Sequence, residues 1–522
     1  MKYNKKTTGM SQLAALWLGL ISIFAASDLC AGGLFFPDVG TVSLGRGAAF
    51  VAKADNLSAF YYNPAGLSKS KGVNILGGAN FIDLNATFLR TGTGVWEDLG
   101  LEIEALPGLV FRAGNPDLDF ADGIGNERPY SRVSQQTPVT VTGVLGALNW
   151  GDAFGVEGLA LAIGVYAPSS FNKPKYPSDG AQRYAIREMS TFIIMPGPAV
   201  SYAFNRYIQV GAVFLSGMGF VNKRWASRLA PAIDDLDWNE DLDGDVDIQL
   251  EVKDLFMPSG IFGVLSNPLD WLEIGAAVKL PVYMAAEGKL KITPSEVDYP
   301  EAEIIEETNK VTVRQHFPWM VSTGVRYIHR VFDIEVDFVW ENWSTYQAQR
   351  GEVGTKITLD KGDTSEDPNN ENKEDDTVKD MPNTEIPKNY RDTYSVRVGS
   401  DVEVWKDNLT VRLGGYYQSS AYPENNNTFN LDFPFGEQFG TGCGLSWHTF
   451  DFLTINIGYL HIFQAPVEVE GGTVQQTGTA IVATDIGLPE DAMDPVYIGN
   501  MVNNGRYETN LNIFSASIEG HF

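Results

Sequence analysis

Read backwards from its last residue, the chain alternates between apolar and polar positions. In "NIFSASIEGHF", Phe514, Ala516, Ile518, Gly520 and Phe522 fall on one side of an extended strand, and Ser515, Ser517, Glu519 and His521 on the other. One face suits lipid and the other water. An edge strand of a soluble sandwich alternates in the same way, but here the alternation runs to an aromatic terminal residue, as in the closing strand of an outer-membrane barrel. The same period-two test predicts strands at 72–90, 137–150, 157–168, 190–204, 207–223, 247–266, 270–293, 309–328, 331–346, 388–404, 409–421, 436–449, 452–470 and 507–522. That is fourteen, an even number as bacterial barrels require. Most are longer than the roughly 9 to 11 residues that a tilted strand needs to cross hydrocarbon, so the wall is expected to project beyond the membrane.

The connections alternate strictly between short and long. Asn205-Arg206, "SNPLD", "IHRV", "WKDN" and "TFD" are short, whereas 91–136, 169–189, 224–246, 294–308, 347–387, 422–435 and 471–506 are long. This is the asymmetry of periplasmic turns and extracellular loops, and it predicts that both chain ends lie on the periplasmic side. The fold class expected is therefore all-β, a 14-stranded antiparallel transmembrane β-barrel over 72–522, integral to a bacterial outer membrane.

Composition sharpens this picture at the N-terminus. Lys2, Lys5 and Lys6 precede an apolar run from Leu13 to Ala26, and small residues follow, so residues 1–31 read as a secretory signal peptide. The run is too short to span a bilayer. Ser27, Ala31 and Gly32 are alternative final residues of the signal. Its removal moves the formal charge from −28 to −30. Such an acidic exported chain is a poor partner for nucleic acid, which needs clustered Lys and Arg. Only Cys443 is certain to remain, so no internal disulfide is expected if Cys30 leaves with the signal.

The long loops hold much of the acidity, and 347–387 reads as a solvated charge run. In "NEDLDGDVDIQLE", Asp241, Asp243, Asp245 and Asp247 surround the turn residue Gly244 in a partial calcium-loop pattern. Leu250 stands where the bidentate glutamate belongs, with Glu251 beside it. Catalysis has little support: His316, His329, His448, His461 and His521 are scattered, with neither H-E-x-x-H nor G-x-S-x-G. No cofactor is expected.

Residues 32–71 precede the first strand, lack membrane-length alternation and carry Phe50, Phe60, Tyr61 and Tyr62. A fourteen-stranded barrel encloses space that its own side chains do not fill. The segment is therefore expected to fold inward as a hatch. "SLGRGAAFVAKADNLSAFYYNPAGLS", with "WENWSTYQ" near Trp343 and "RDTYSVRVGSDVEVWKDNLTVRLGGYYQSSAYPE" from Arg391, resembles the long-chain fatty-acid outer-membrane transporters of the FadL type and the related toluene and hydrocarbon channels. Gly45-Arg46 and Asn63-Pro64-Ala65 carry the match best, and the loops 91–136, 224–246 and 347–387 carry it least. The resemblance implies passive uptake of hydrophobic molecules, and a sideways exit into lipid where the third strand is kinked.

On that reading Gly164, Tyr166 and Pro168 mark the wall opening, with Pro196 and Pro198 weakening the neighbouring ladder. Pro168 as a simple strand terminator is the competing reading. Asp55 is expected to cap a short helix ending at Asn63, and Asn63, Pro64 and Ala65 to link hatch and opening, with Asn63 bonding unpaired backbone at the kink. Leu34, Phe35 and Phe36 are candidate ligand contacts. Arg46 is expected to meet a ligand carboxylate or an inward-facing acid of the wall. The partners expected are a long-chain fatty acid or another hydrophobic small molecule, outer-membrane lipid and lipopolysaccharide around a monomer. A general diffusion porin and a surface adhesin or structural barrel are the alternative functions.

Overall fold

The computed structural model describes residues 37, 39–91, 102–106, 109–112, 130–136, 140–167, 173–228, 245–293, 303–306, 310–353, 356–360, 377–380, 384–474, 480–481, 496–497 and 501–522. Its wall strands, all antiparallel to their neighbours, are β1 (Gly72–Arg90), β2 (Thr140–Gly151), β3 (Leu159–Ala167), β4 (Glu188–Asn205), β5 (Ile208–Arg228) and β6 (Asp245–Leu269). Next come β7 (Leu272–Lys279 and Val282–Thr293), β8 (Val311–Phe317 and Met320–Ile328), β9 (Phe332–Glu341 and Ala348–Val353) and β10 (Thr384–Pro387 and Thr393–Trp405). The last are β11 (Leu409–Gln418), β12 (Gln438–Phe450), β13 (Leu453–Gln464 and Val467–Val469) and β14 (Gly505–His521). Together they form a closed fourteen-stranded barrel, with β1 zipped to β14 from Asn74↔His521 to Arg90↔Gly505. Among the described residues no helix is long and apolar enough to cross a membrane.

Closure follows from the two-residue period. Along β6 and β14 the apolar residues Phe262, Val264, Phe514 and Ile518 face outward, and Ser259, Ser515, Ser517 and Glu519 are buried inside. Phe204, Tyr207, Trp271, Tyr327, Trp405, Trp447, Phe450, Phe452 and Phe522 are exposed close to the short-turn rim. Aromatic rings at that level form the girdle of a membrane-spanning barrel.

Besides β13, which breaks at Ala465-Pro466, two strands break at prolines, β7 at Leu280-Pro281 and β8 at Pro318-Trp319. Proline cannot donate to a ladder, so pairing stops there and resumes a residue later. A further irregularity lies in β4. Its bridges to β5 run Glu188↔Arg224 to Ile194↔Met218 and resume at Ala199↔Val213, skipping Met195-Pro196-Gly197-Pro198.

Residues 39–70 sit inside the cylinder as α1 (Thr41–Gly45), α2 (Ala59–Tyr62) and a 3-10 turn (Pro64–Lys69). Nearly all are buried. The reason they fit is a girdle of wall glycines. A Cβ on Gly211 of β5 would lie 2.3 Å from the Pro64 carbonyl carbon, on Gly275 of β7 2.4 Å from the Val51 oxygen, on Gly414 of β11 2.0 Å from the Arg46 carbonyl carbon, and on Gly442 of β12 2.5 Å from the Leu44 oxygen. Hatch backbone rests directly on wall backbone, which only glycine permits.

The long-loop end departs from expectation in two ways. Glu303–Glu306, Lys356–Asp360 and Thr377–Asp380 form a small sheet, so the charge run at 347–387 contributes strands. The connection 419–437 folds back into the mouth, burying Ser419, Tyr422, Thr428, Phe429, Leu431, Asp432 and Phe435. It forms a lid over the space above the hatch.

Candidate functional site: an anchored hatch beneath a closed pocket

Arg46 lies at the centre of the hatch and is fully buried. Its Nη1 pairs with Asp333 at 2.8 Å and with Asp401, its Nη2 with Glu335 at 2.9 Å, and its Nε donates to the Ala49 carbonyl at 3.0 Å. Burial alone lowers the Arg46 pKa, but the carboxylates of Asp401, Asp333 and Glu335 more than offset it and hold it well above its ordinary value. The guanidinium is spent on the wall, which selects the second of its two expected roles and leaves none of its bonds for a ligand head.

Backbone geometry does the rest of the anchoring. Gly47 and Ala48 take φ of 60° and 62°, which turns the following amides towards β9. Phe50 and Val51 donate to Asp337 Oδ2 at 2.7 and 3.0 Å; Ala52 and Lys53 donate to Glu335 Oε1 at 2.7 and 3.1 Å. Charge-assisted bonds of this kind are about twice as strong as neutral ones. Lys53 Nζ pairs with Asp55 at 2.7 Å and approaches Asp333 and Asp401 at 3.4 and 3.5 Å. Asp55 is therefore an ion-pair partner and not the expected helix cap; Ser58 occupies the cap position before α2, and its own N–H donates to Asn56 Oδ1 at 2.9 Å.

Asn63 ends α2 in extended conformation, φ −160° and ψ 98°, and Pro64 opens the 3-10 turn at a position where its missing N–H costs nothing. The Asn63 amide donates to the carbonyls of Val51 (2.9 Å) and Val264 (3.0 Å), and its oxygen accepts from Ala65 N–H (3.2 Å). This corrects the expected contact: Asn63 ties the hatch to β6, on the sixth strand, and not to backbone at a kink in the third. Ala65 also touches the wall, its carbonyl accepting from Ser201 Oγ at 2.9 Å.

Gly164 and Tyr166 both meet the hatch. The Phe60 ring covers Gly164 so closely that a Cβ there would lie 2.9 Å from it, and the Tyr166 ring stands edge-on to Tyr61 at 4.8 Å. Pro168 lies outside the described residues, as do Leu34, Phe35 and Phe36; β3 is described to Ala167. Asp241 and Asp243 also fall outside them. Asp245 is held by Arg183 (2.6 Å) and Tyr184 (2.8 Å), and Asp247 by Arg187 (2.9 Å) and Arg224 (2.8 Å). Two of the four expected calcium ligands are thus engaged by arginines in this structure. Among the described residues no cluster of His, Cys, Asp and Glu suits a metal.

Against the inner wall of β3, β4, β7, β8 and β9 lies a pocket with about 490 Å³ of space free of protein atoms, its open mouth included. Ile193, Met195, Leu280, Val282, Phe317 and Met320 make it apolar, and Tyr166, Lys279, Glu341 and Trp343 supply its polar edge. The proline breaks of β7 and β8 lie here. The Lys279 ammonium lies 4.7 Å from the ring centre of Tyr61 and 5.0 Å from that of Tyr166, bridging hatch and wall by cation–π contact. The Tyr166 hydroxyl is buried without a hydrogen-bond partner. Sequence reasoning missed Lys279 and Glu341, although "KLPVY" and "HFPWM" put proline inside two long strands and so marked the level of the cavity.

A closed barrel with a lipid-facing exterior, plugged by its own leading residues around an apolar cavity, defines a transmembrane outer-membrane channel for hydrophobic compounds. The chain belongs to the family Outer membrane protein transport protein (OMPP1/FadL/TodX), whose model matches residues 22–487. It is similar in structure to a Pseudomonas aeruginosa FadL homologue (TM-score 0.65, 16% identity, 94% of this chain and 100% of that one). It is also similar to the Ralstonia pickettii toluene transporter TbuX (0.57, 12%, 92% and 98%) and the Pseudomonas putida toluene transporter TodX (0.58, 11%, 94% and 100%). No curated protein sequence matches the chain. The family and these neighbours are transport channels and not enzymes.

Proposed function

We propose that this chain carries hydrophobic molecules with an acidic head, long-chain fatty acids above all, down a gradient across the outer membrane and out sideways through the barrel wall. The observation that carries this reading is Lys279: an ammonium on the polar edge of a largely apolar cavity, which it shares with Glu341, in contact with Tyr61 of the hatch and Tyr166 of the wall. An apolar chain fills the cavity while its carboxylate meets the cation. A pure hydrocarbon such as toluene, the cargo named for TbuX and TodX, has no use for it.

The exit follows from energetics. Burying each methylene gains about 0.8 kcal/mol, so a dozen gain up to about 10 kcal/mol, most of which release into water returns. Passage into lipid exchanges hydrocarbon for hydrocarbon. The interrupted β4–β5 ladder at Met195–Pro198, whose Met195 lines the cavity beside Tyr166, supports an opening there. Gly164 and Tyr166 of β3, through Phe60 and Tyr61, then sense the hatch, and Asn63, Pro64 and Ala65 hold it. On this reading the short-turn rim and both chain ends face the periplasm, and the protein works as a monomer in outer-membrane lipid with lipopolysaccharide beside the long loops. The buried hatch argues against a general porin, and the lidded apolar cavity against an adhesin.

The test is uptake in a host lacking its own channel of this kind. Lys279→Ala is expected to cut oleate uptake about tenfold and leave toluene uptake unchanged. Equal losses for both, or none, refute the acidic-head reading.

A further inference from the structure

The lid contains a charge arrangement that the cavity below it does not use. Asp432, at the inner end of the lid, is 6% exposed, and both its oxygens accept from Lys223 Nζ of β5, at 2.9 and 2.8 Å. Lys388, 2% exposed, stands in the irregular stretch between the two segments of β10, where Asp432 attracts it and Lys223 repels it. Among the described residues its ammonium makes no hydrogen bond and no ion pair; only its backbone is bonded, with its carbonyl accepting from Thr428 Oγ1 of the lid at 2.7 Å. The one carboxylate is thus bonded to Lys223, and Lys388 stands within its field unbonded. A buried ammonium without a bonded counter-charge is costly, and the site is one anion short.

Its surroundings are aromatic. Tyr390 stacks edge-on against Tyr422 at 5.2 Å, Phe429 against Tyr507 at 4.9 Å, and Lys223 lies 5.5 Å from the ring centre of Trp225. The Tyr176 hydroxyl is buried nearby without a partner. Such walls suit an alkyl chain, and the two ammoniums with an orphan hydroxyl suit the head of an amphiphile.

We propose that Lys223 and Lys388 form a second carboxylate-binding site on the loop side of the barrel, and that the lid's own Asp432 occupies it as an internal competitor. An incoming carboxylate satisfies Lys388 first and then competes for Lys223. Asp432 is released, and with it Thr428–Phe435, so that the lid lifts only for a ligand with an acidic head. No covalent step is involved. The inference rests on the proposed carriage of acidic amphiphiles and adds to it a self-inhibited outer gate.

The experiment measures binding of oleate and of oleyl alcohol to the purified detergent-solubilised protein, alongside hydrogen exchange of residues 428–433. Asp432→Asn is expected to tighten oleate at least tenfold and leave oleyl alcohol unchanged; Lys388→Met is expected to weaken oleate alone. Oleate, and not the alcohol, is expected to speed exchange across 428–433 in the unaltered protein. Lys279→Ala serves as the second variant: it leaves the oleate-driven exchange at 428–433 in place even where it abolishes uptake. If both ligands bind but Asp432→Asn shifts neither, or both alike, the internal competitor is refuted while the cavity reading stands. If neither ligand binds the unaltered protein, both readings fall. Heat-modifiable migration in gels separates a misfolded variant from a refuting one, and Asp432→Glu, which keeps the charge, is then expected to behave as the unaltered protein.

Discussion

Replacing Arg46 by Met tests whether the hatch is held by charge. The substitution keeps much of the side-chain volume but removes the pairs to Asp333, Glu335 and Asp401 and the bond to the Ala49 carbonyl. Breaking a buried ion pair by deleting one partner costs about 3–5 kcal/mol, because the remaining charges stay buried. Lys53, already 3.4 and 3.5 Å from Asp333 and Asp401, moves into part of the gap and brings the expected cost towards about 3 kcal/mol. At 1.4 kcal/mol per decade that is roughly a hundredfold increase in the population with the hatch unseated. The barrel ladders do not involve Arg46, so heat-modifiable migration stays normal while planar-bilayer recordings gain open events and amides 50–53 lose exchange protection. Unchanged conductance with unchanged protection at 50–53 refutes electrostatic anchoring; collapse of the barrel itself refutes the separation of hatch from wall.

Three further outcomes follow from the same geometry. Gly211→Ala places a Cβ 2.3 Å from the Pro64 backbone and is expected to open the channel by forcing the hatch aside, whereas Gly77→Ala, with nothing within 4 Å, is expected to be silent in the same recordings. Asn63→Ala orphans the Val51 and Val264 carbonyls, costing about 1–3 kcal/mol, and is expected to lower oleate uptake without lowering the amount of folded barrel recovered from membranes. Burial raises the Asp55 carboxyl, but Lys53, Arg326 and Lys69 lower it further, leaving it below the ordinary carboxylate range. Because the folded value is depressed, this contribution is present above about pH 4 and fades as the pH falls through the lower folded value; hydrogen exchange at 52–56 is expected to be flat from neutrality to about pH 4 and to rise below it. A rise already at pH 6 contradicts this assignment.

The barrel was legible because lipid outside and water or polar hatch inside impose a choice at every second residue, and fourteen repetitions of that choice leave little room for another fold. The anchoring was half legible. "DIEVD" places Asp333, Glu335 and Asp337 on one face of a membrane strand, and three inward acids require cations, which the hatch supplies through Arg46 and Lys53 and the wall through Arg326. The glycine girdle was printed at inward positions of successive strands but means nothing until the hatch backbone lies against it. Lid and cavity were not legible: "ENNNTFNLDF" is as polar as a solvated loop, and only the closed wall brings Asp432 across to Lys223, two hundred residues upstream.

The seam between the first and last strands has a consequence for biogenesis. Val73 and Phe522 exchange both backbone bonds, at 2.8 Å each, and so stitch the short-turn end of that seam. That same strand grips the plug through Ser515 Oγ to Thr41 Oγ1 at 2.7 Å and Glu519 to Asn56 at 2.9 Å. The stopper therefore cannot be fully seated before β14 is in place, and losing that strand undoes the joint in the wall and two fastenings of the stopper together.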